Sequence, residues 1–183
     1  MADDSYLSML NNPYINPPPP QQQQKEEKTV TKANREPVFK TAEKAGKELL
    51  DSCKDLYLIS ETDASWQSIQ KPWTSLTKGD DDELPNTLDE LISIGLVDKE
   101  QINEPFKIKS LNAFFDPMMD KQDDPYQQAD RYCQLYQQCK SILGNDAKVY
   151  LVGSTTILVL ILGLVKENDQ KALIGLQSEL VQT

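Results

Sequence analysis

The stretch "TILVLILGLV", residues 156–165, is apolar from Ile157 to Val165 at every position except Gly163. Branched aliphatic residues favour β-strands, and a strand that is apolar on both sides must be covered on both faces. A sheet buried in this way needs helices packed against each side. The stretch therefore predicts an α/β fold, namely a three-layer α/β/α sandwich whose central sheet is mixed or antiparallel.

Two more strands are predicted on either side of this stretch. "KVYLV", residues 148–152, and "KALIGLQSELV", residues 171–181, are also rich in Val, Ile and Leu. The turn-forming residues 167–170 between the second and third strands predict a hairpin loop. Polar Gln177 and Glu179 alternate with Leu176, Ser178 and Leu180, which predicts that the last strand lies nearer the edge of the sheet.

The rest of the folded part alternates between helices and strands. Residues 38–53 place Val38, Ala42, Ala45 and Leu49 on one helical face, which predicts a helix. Two further strands are predicted at 56–60 and 106–109, and a charged surface loop at 77–87. A short helix is predicted to end near Gly95. A short helix at 111–115 is expected to be capped by Ser110, and a helix at 125–143 to have Pro125 in its first turn and Gly144 at its end.

Residues 1–36 differ in composition from the rest of the chain. They contain a run of four prolines, residues 17–20, followed by four glutamines, residues 21–24, and few consecutive apolar residues. Such a segment cannot bury enough apolar surface to offset the entropy lost on ordering. We therefore expect a disordered Pro/Gln-rich tail with a polyproline II element over 1–36 and a folded domain over 37–183.

The net charge of −10 lies almost entirely on residues 37–183, which carry −9 of it. Because phosphate backbones are bound mainly through Lys and Arg, we expect no direct binding of nucleic acid. An acidic surface attracts basic partners instead. The sequence also predicts no signal peptide, no transmembrane segment and no membrane partner. Three cysteines without a CxxC pair indicate an intracellular protein, cytoplasmic or nuclear.

The sequence argues against an enzyme. Histidine is absent from the whole chain, and with it the commonest general base and metal ligand. No glycine-rich phosphate-binding motif occurs, and no cofactor is expected. The acidic run Asp80–Glu83 lacks the ligand spacing of an EF-hand, so we interpret it as a solvated loop; a Mg²⁺ or Ca²⁺ site there stays open as an alternative.

A second stretch, "LYLISETDASW", residues 56–66, changes abruptly from apolar residues to Ser60, Glu61, Thr62 and Asp63. Residues of these types commonly form turns and caps at the end of an element. Trp66, a little further on, is equally well explained as core packing or as a contact with another protein. The residues alone leave these readings open.

Three segments taken together resemble the nuclease A inhibitor family (NuiA-like proteins). They are "LYLISETDASW", "FKIKSLNAFFD" and "KVYLVGSTTILVLILGLVKENDQKALIGLQSELVQT", which ends at Thr183. Pro105-Phe106-Lys107 and Phe114-Phe115 stand in the places of the corresponding family motifs, and the resemblance covers about residues 41–183. It implies an α/β/α sandwich without enzymatic activity that blocks a Mg²⁺-dependent, sugar-nonspecific endonuclease of the DNA/RNA non-specific endonuclease superfamily, whose active-site cleft is basic.

The resemblance also implies which residues bind the nuclease. The family's loop glutamate and C-terminal carboxylate reach the magnesium region of the enzyme, and they correspond to Glu61 and Thr183. Ser60 and Thr62 are expected to hold the loop, Asp63 to orient it, and Trp66 to match the family's large aromatic. The chain is expected to bind no metal of its own. It departs from the family pattern at Ala64-Ser65, where Tyr-Pro is common, and at Asp124–Tyr126, where a Trp precedes the Tyr.

An alternative function is a non-catalytic adaptor that keeps the NuiA-like fold and recruits partners through its tail. The motivating segments are "NPPPPQQQQ", a possible polyproline II ligand, and "SYLSMLNNPYI", a possible docking motif. A tail-binding protein would then be a partner. An inhibitor should act without its tail, whereas an adaptor should lose its partner.

Overall fold

The structure, a computed structural model, describes residues 34–58, 64–73, 83–122 and 124–181. Within these ranges five strands form one sheet in the order β1-β5-β4-β3-β2, and every neighbouring pair is antiparallel. The strands are β1 (Gln67–Pro72), β2 (Phe106–Ser110), β3 (Lys148–Val152), β4 (Thr156–Glu167) and β5 (Gln170–Val181).

In the described part of the chain, every helix precedes β3. The helices are α1 (Lys40–Ser52), α2 (Leu88–Ser93), α3 (Leu111–Phe115) and α4 (Ala129–Leu143), with short 3-10 turns at Lys99–Gln101 and Asp116–Met118. In the described ranges, none of the helices has the length and the apolar character needed to cross a membrane.

These helices and the five-stranded sheet make the chain a mixed α/β protein with an antiparallel sheet. The sequence predicted this fold class.

The β4–β5 hairpin is the longest paired unit of the sheet. Its register runs from Thr156 opposite Val181 to Glu167 opposite Gln170. Asn168 in the intervening turn has a φ of +52°, a conformation that asparagine tolerates better than most residues. The predicted hairpin loop is confirmed, and it holds the two strands in a single register over their full length.

Side chains of β4 alternate between two hydrophobic clusters on opposite faces of the sheet. Val159 and Ile161 belong to the first cluster, which includes residues of α1, α3 and α4. Leu160 and Leu162 belong to the second cluster, which includes Leu91 of α2. This alternation explains why β4 is apolar at consecutive positions, since both of its faces are buried.

The prediction of a strand at 56–60 is wrong for residues 56–58, which are not in a strand. Residues 59 and 60 lie outside the described ranges. Leu56 and Leu58 are buried in the first cluster, so their apolar character reflects packing without strand pairing. The strand in this part of the chain is β1, which starts at Gln67. Its sequence, "QSIQKP", lacks a strong apolar alternation, and it pairs with β5 at one edge of the sheet.

The polar residues near the end of β5 differ in exposure. β5 lies between β1 and β4, and Gln177 and Ser178 are both buried. The Gln177 side chain donates to Gln67 Oε1 at 3.1 Å and accepts from Asn34 Nδ2 at 3.1 Å. Gln177 and Ser178 are therefore buried with hydrogen-bond partners, whereas Glu179 is partly exposed. β5 lies one strand from the edge of the sheet, nearer the edge than β4, as predicted.

The helix predicted from residue 125 begins at Ala129 instead. Pro125 lies in the preceding turn, and the Asp124 carboxylate accepts hydrogen bonds from the main-chain nitrogens of Gln128 and Ala129, both at 2.8 Å. These bonds, that of Ala129 first, lower the pKa of Asp124. The predicted Ser110 cap is confirmed by its bond from the Ala113 nitrogen at 3.2 Å.

Residues 34–36, which the sequence analysis placed in the tail, pair with β1. The Gln70 nitrogen donates to Asn34 O at 2.9 Å, and the Glu36 nitrogen donates to Gln70 O at 2.8 Å. Lys71 forms an ion pair with Glu36 at 2.9 Å. Any truncation meant to preserve the sheet should therefore begin before Asn34.

Gly175→Ala tests the close pairing of β4 and β5. A Cβ at residue 175 would overlap the Ile161 carbonyl oxygen, so the substitution should lower the free energy of unfolding by about 3 kcal/mol. Gly95→Ala is the control, because Gly95 has a φ of +69° and a Cβ there would meet only the Lys71 ammonium at an ordinary 3.7 Å, and its cost should be about 1 kcal/mol. Chemical denaturation that ranks the two variants equally would contradict this packing.

Candidate functional site

The start of β1 and the end of β5 lie at the same end of the sheet. Gln67 is opposite Gln177 in antiparallel register, so the chain before β1 and the last four residues of β5 lie at the same end of the sheet. The Ser178 hydroxyl also donates to the Ala64 carbonyl at 3.2 Å. This bond ties the segment before β1 directly to the last residues of β5.

Most of the predicted partner-binding residues lie outside the described part of the chain. Ser60, Glu61, Thr62 and Asp63 fall in the range 59–63, and Thr183 follows Val181, the last residue described. Ala64 and Val181 are the described residues closest in sequence to the two expected carboxylates. The structure therefore describes the residues next to the candidate site, and the roles of Ser60, Glu61, Thr62, Asp63 and Thr183 stay predictions.

Trp66 is the predicted site residue that the structure describes. Its side chain is only 6% exposed and packs in the first cluster. The indole Nε1 is buried without a hydrogen-bond partner in the described residues. The structure thus gives Trp66 a packing role just before β1, and direct contact with a partner stays a prediction.

The chain just before the undescribed residues 59–63 is held by α4 at residues 54–57. The Tyr132 hydroxyl donates to the Tyr57 carbonyl at 2.5 Å, and the Tyr57 nitrogen donates to Gln128 Oε1 at 3.3 Å. The Arg131 guanidinium adds bonds to the carbonyls of Lys54 and Asp55. Segment 59–63 therefore connects two fixed points, one on α4 and one on β5.

Burial keeps the hydroxyl of Tyr132, the residue that we call the α4 anchor, protonated. Tyr132 is 1% exposed, and desolvation raises the pKa of its hydroxyl above the ordinary value of 10.0. The hydroxyl is therefore neutral and able to donate throughout the neutral range. The bond to Tyr57 should not change as pH varies around neutrality.

Two exposed aromatic side chains lie near the point where α4 holds residue 57. Tyr57 is 37% exposed and Tyr126 is 61% exposed. Gln128, two residues after Tyr126, is the residue that binds the Tyr57 main chain. Sequence reasoning missed Tyr57 because it assigned residues 56–60 to a buried strand; a tyrosine between two leucines was the available sign of an exposed position.

The described residues contain no group of three or more His, Cys, Asp or Glu side chains arranged to hold a metal ion. Asp80–Asp82 lie outside the described ranges, so the alternative metal site at 80–83 is not addressed by them. Burial raises the pKa values of Cys53 and Cys139 to about 12. Both thiols are thus protonated near neutral pH and are poor nucleophiles.

Comparison with known protein families matches residues 43–183 to the family described as nuclease A inhibitor-like protein. The matched range includes the whole sheet and the segment between the α4 and β5 anchors. Comparison with curated proteins finds no match.

Tyr132→Phe should weaken the α4 anchor without emptying the core. Loss of the bond to the Tyr57 carbonyl should lower the free energy of unfolding by about 1 kcal/mol and speed amide hydrogen exchange in residues 56–66. Tyr136→Phe is a matched control, because the Tyr136 hydroxyl makes a long, exposed bond of 3.4 Å to Asn112. Equal exchange in the two variants would show that Tyr132 does not anchor this segment.

The thiols should differ in reactivity in the folded protein. At pH 8, a thiol reagent such as Ellman's reagent should modify the exposed Cys133 quickly and the buried Cys53 and Cys139 only after unfolding. Cys133→Ser is the control and should abolish the fast phase. Fast reaction of more than one thiol in the native protein would contradict the burial of the other two.

Proposed function

This chain belongs to the nuclease A inhibitor-like family, and we propose that it inhibits a Mg²⁺-dependent, sugar-nonspecific endonuclease of the DNA/RNA non-specific endonuclease superfamily. The family places it among inhibitor-like proteins that have a nuclease as partner. The observation that carries the specific mechanism is the bond from the Ser178 hydroxyl to the Ala64 carbonyl. This bond joins the chain that follows Glu61 to the strand that precedes Thr183, and the mechanism uses the carboxylates of these two residues.

Chain length supports a shared position for Glu61 and the Thr183 carboxylate. Glu61 is three residues before Ala64, and Thr183 is two residues after Val181. An extended residue spans at most about 3.6 Å, so both carboxylates are within reach of one patch beyond this end of the sheet. We propose that this patch enters the active site of the nuclease.

Magnesium chemistry explains why carboxylates would serve there. Mg²⁺ in a nuclease takes hard oxygen ligands and keeps several waters, and basic residues around it hold the phosphate. A carboxylate from Glu61 or Thr183 can replace a phosphate oxygen, but it offers no scissile bond. The metal belongs to the nuclease, so the inhibitor needs no metal or cofactor of its own.

The anchors on α4 and β5 support a rigidly presented segment. Ordering a mobile side chain on binding costs about 0.5 to 1.5 kcal/mol, and a segment held before binding avoids part of that cost. Tyr132 and Ser178 supply such restraints on the two sides of the segment. In this proposal, Ser60 and Thr62 add hydroxyl-to-backbone bonds within it, and Asp63 orients the loop.

The acidity of the chain also suits a basic partner. The chain carries a net charge of −10, and a basic cleft built for phosphate would attract it over a distance comparable with the Debye length. The association rate should therefore fall as salt rises. Exposed Tyr57 and Tyr126 provide aromatic surface next to the segment, a residue type enriched in binding hot spots.

The proposal also covers the layer arrangement of the fold and the bounds of the folded domain. The two hydrophobic clusters on opposite faces of the sheet support a three-layer α/β/α sandwich. We also propose that residues 37–183, together with residues 34–36 that pair with β1, form a non-catalytic intracellular domain, and that the preceding residues form a disordered tail. The free thiols of the chain are consistent with a reducing compartment.

Glu61→Gln and deletion of Thr183 test the mechanism. Each change should weaken inhibition by about 1 to 3 kcal/mol, the scale of a charge-assisted contact, because one loses a charge and the other shifts the terminal carboxylate by one residue. Glu48→Gln, on the exposed side of α1, is the control and should inhibit as well as the unchanged protein.

Inhibition constants should be measured with a nuclease of this superfamily, alongside thermal unfolding of each variant. Full inhibition by both variants would disprove the metal-directed mechanism. Comparing the full chain with residues 33–183 separates an inhibitor, which should retain activity without the tail, from an adaptor, which should lose its partner. The shortened chain keeps the residues that pair with β1.

A further inference from the structure

Strand β2 forms the edge of the sheet farthest from β1, and it pairs with β3 alone. Its sequence is "FKIKS", and the residues from Lys107 to Ser110 are exposed. Ile108 in the middle is 38% exposed. The edge is therefore accessible along most of its length.

The hydrogen-bond pattern shows which main-chain groups face outward. The Gly153 nitrogen donates to the Pro105 carbonyl at 2.9 Å, so residues 105 and 153 form a hydrogen-bonded pair. Such pairs alternate along an antiparallel ladder, which makes Lys107 and Lys109 the residues bonded to β3. The N–H and C=O groups of Phe106 and Ile108 consequently point toward the open edge.

No other described residue occupies those outward groups. Beyond the sheet ladder, no main-chain hydrogen bond within the described ranges involves Phe106 or Ile108. Unpaired groups of this kind are a template for an additional strand. The spacing of Phe106 and Ile108 matches the two-residue repeat at which an antiparallel partner forms its bonds.

The side chains of β2 present different chemistry on the two faces. Phe106 and Ile108 are opposite Val152 and Tyr150, which belong to the second cluster, and the Phe106 ring stacks on Tyr150 at 6.3 Å between centroids. Lys107 and Lys109 point to the other face and are exposed. Neither lysine forms a salt bridge with an acidic residue in the described ranges.

The lysines discriminate between possible partner strands. A second copy of β2 that paired antiparallel through Ile108 would place Lys107 or Lys109 opposite another lysine in each available register, which is unfavourable. Edge lysines commonly prevent self-association for this reason. An acidic strand reverses the sign of the interaction, and its carboxylates would face these two cations on a chain whose net charge is −10.

We propose that β2 binds an extended acidic segment of a partner protein as a sixth, antiparallel strand. The segment carries acidic residues two positions apart, opposite Lys107 and Lys109, with an apolar residue between them opposite Ile108. Main-chain bonds to Phe106 and Ile108 supply affinity, and the lysines select the charge. This surface is separate from the one proposed for nuclease inhibition.

The full chain should be titrated with a capped eight-residue peptide that alternates Glu and Val, and with the same peptide carrying Lys in place of Glu. The Glu peptide should slow amide exchange at Phe106 and Ile108 and shift their NMR signals, and the affinity should fall with added salt. The Lys peptide should do neither. Absence of protection by the Glu peptide would overturn the proposal.

Two variants separate backbone pairing from charge. Ile108→Pro removes the outward N–H and keeps the β3 bonds of its neighbours, so it should weaken binding about fivefold or more, whereas Ile108→Thr should bind within a factor of two or so. Lys107→Glu combined with Lys109→Glu should lose the Glu peptide and gain the Lys peptide. Unchanged preference in this charge-reversed protein, or self-association of the unchanged chain through β2, would contradict the proposal.

Discussion

The pairing of β4 with β5 is the constraint on which the rest of the domain depends. The two strands, each 12 residues long, are held in one register by a two-residue turn, and no other pair in the described sheet is as extensive. β4 supplies apolar side chains to both hydrophobic clusters, so buried residues on each face of the sheet pack against the same strand. A shift of one residue would exchange the two faces and disrupt both clusters.

This register also determines where the candidate inhibitory surface lies. β5 ends beside the start of β1, and the Ser178 hydroxyl binds the Ala64 carbonyl at that place. Tyr132 holds the preceding part of the chain against α4. The sheet thus brings Ala64 and the last residues of β5 to a common end, and the proposed mechanism relies on the carboxylates of Glu61 and Thr183, which are close to these residues in sequence.

Sequence predicted the elements whose signals were local. Continuous branched aliphatic residues identified β4, the 167–170 turn identified the hairpin, and Ser110 identified the start of α3. β1 was missed because its polar residues are held by bonds to distant residues: Gln67 accepts from Gln177, more than a hundred residues away, and the buried Ser68 hydroxyl donates to the Gly46 carbonyl. The anchors Tyr132 and Ser178 could not be predicted for the same reason, since each acts on a residue distant in sequence. The proposed site residues came from family resemblance rather than from local pattern.

The central claim is that this chain inhibits a nuclease, and titration of the nuclease tests it most directly. A purified nuclease of the DNA/RNA non-specific endonuclease superfamily, from the same source as this chain, should be assayed with Mg²⁺ and increasing amounts of the full chain. The account predicts that activity declines in proportion to added chain and disappears near a one-to-one ratio. Undiminished activity in the presence of excess chain would contradict it.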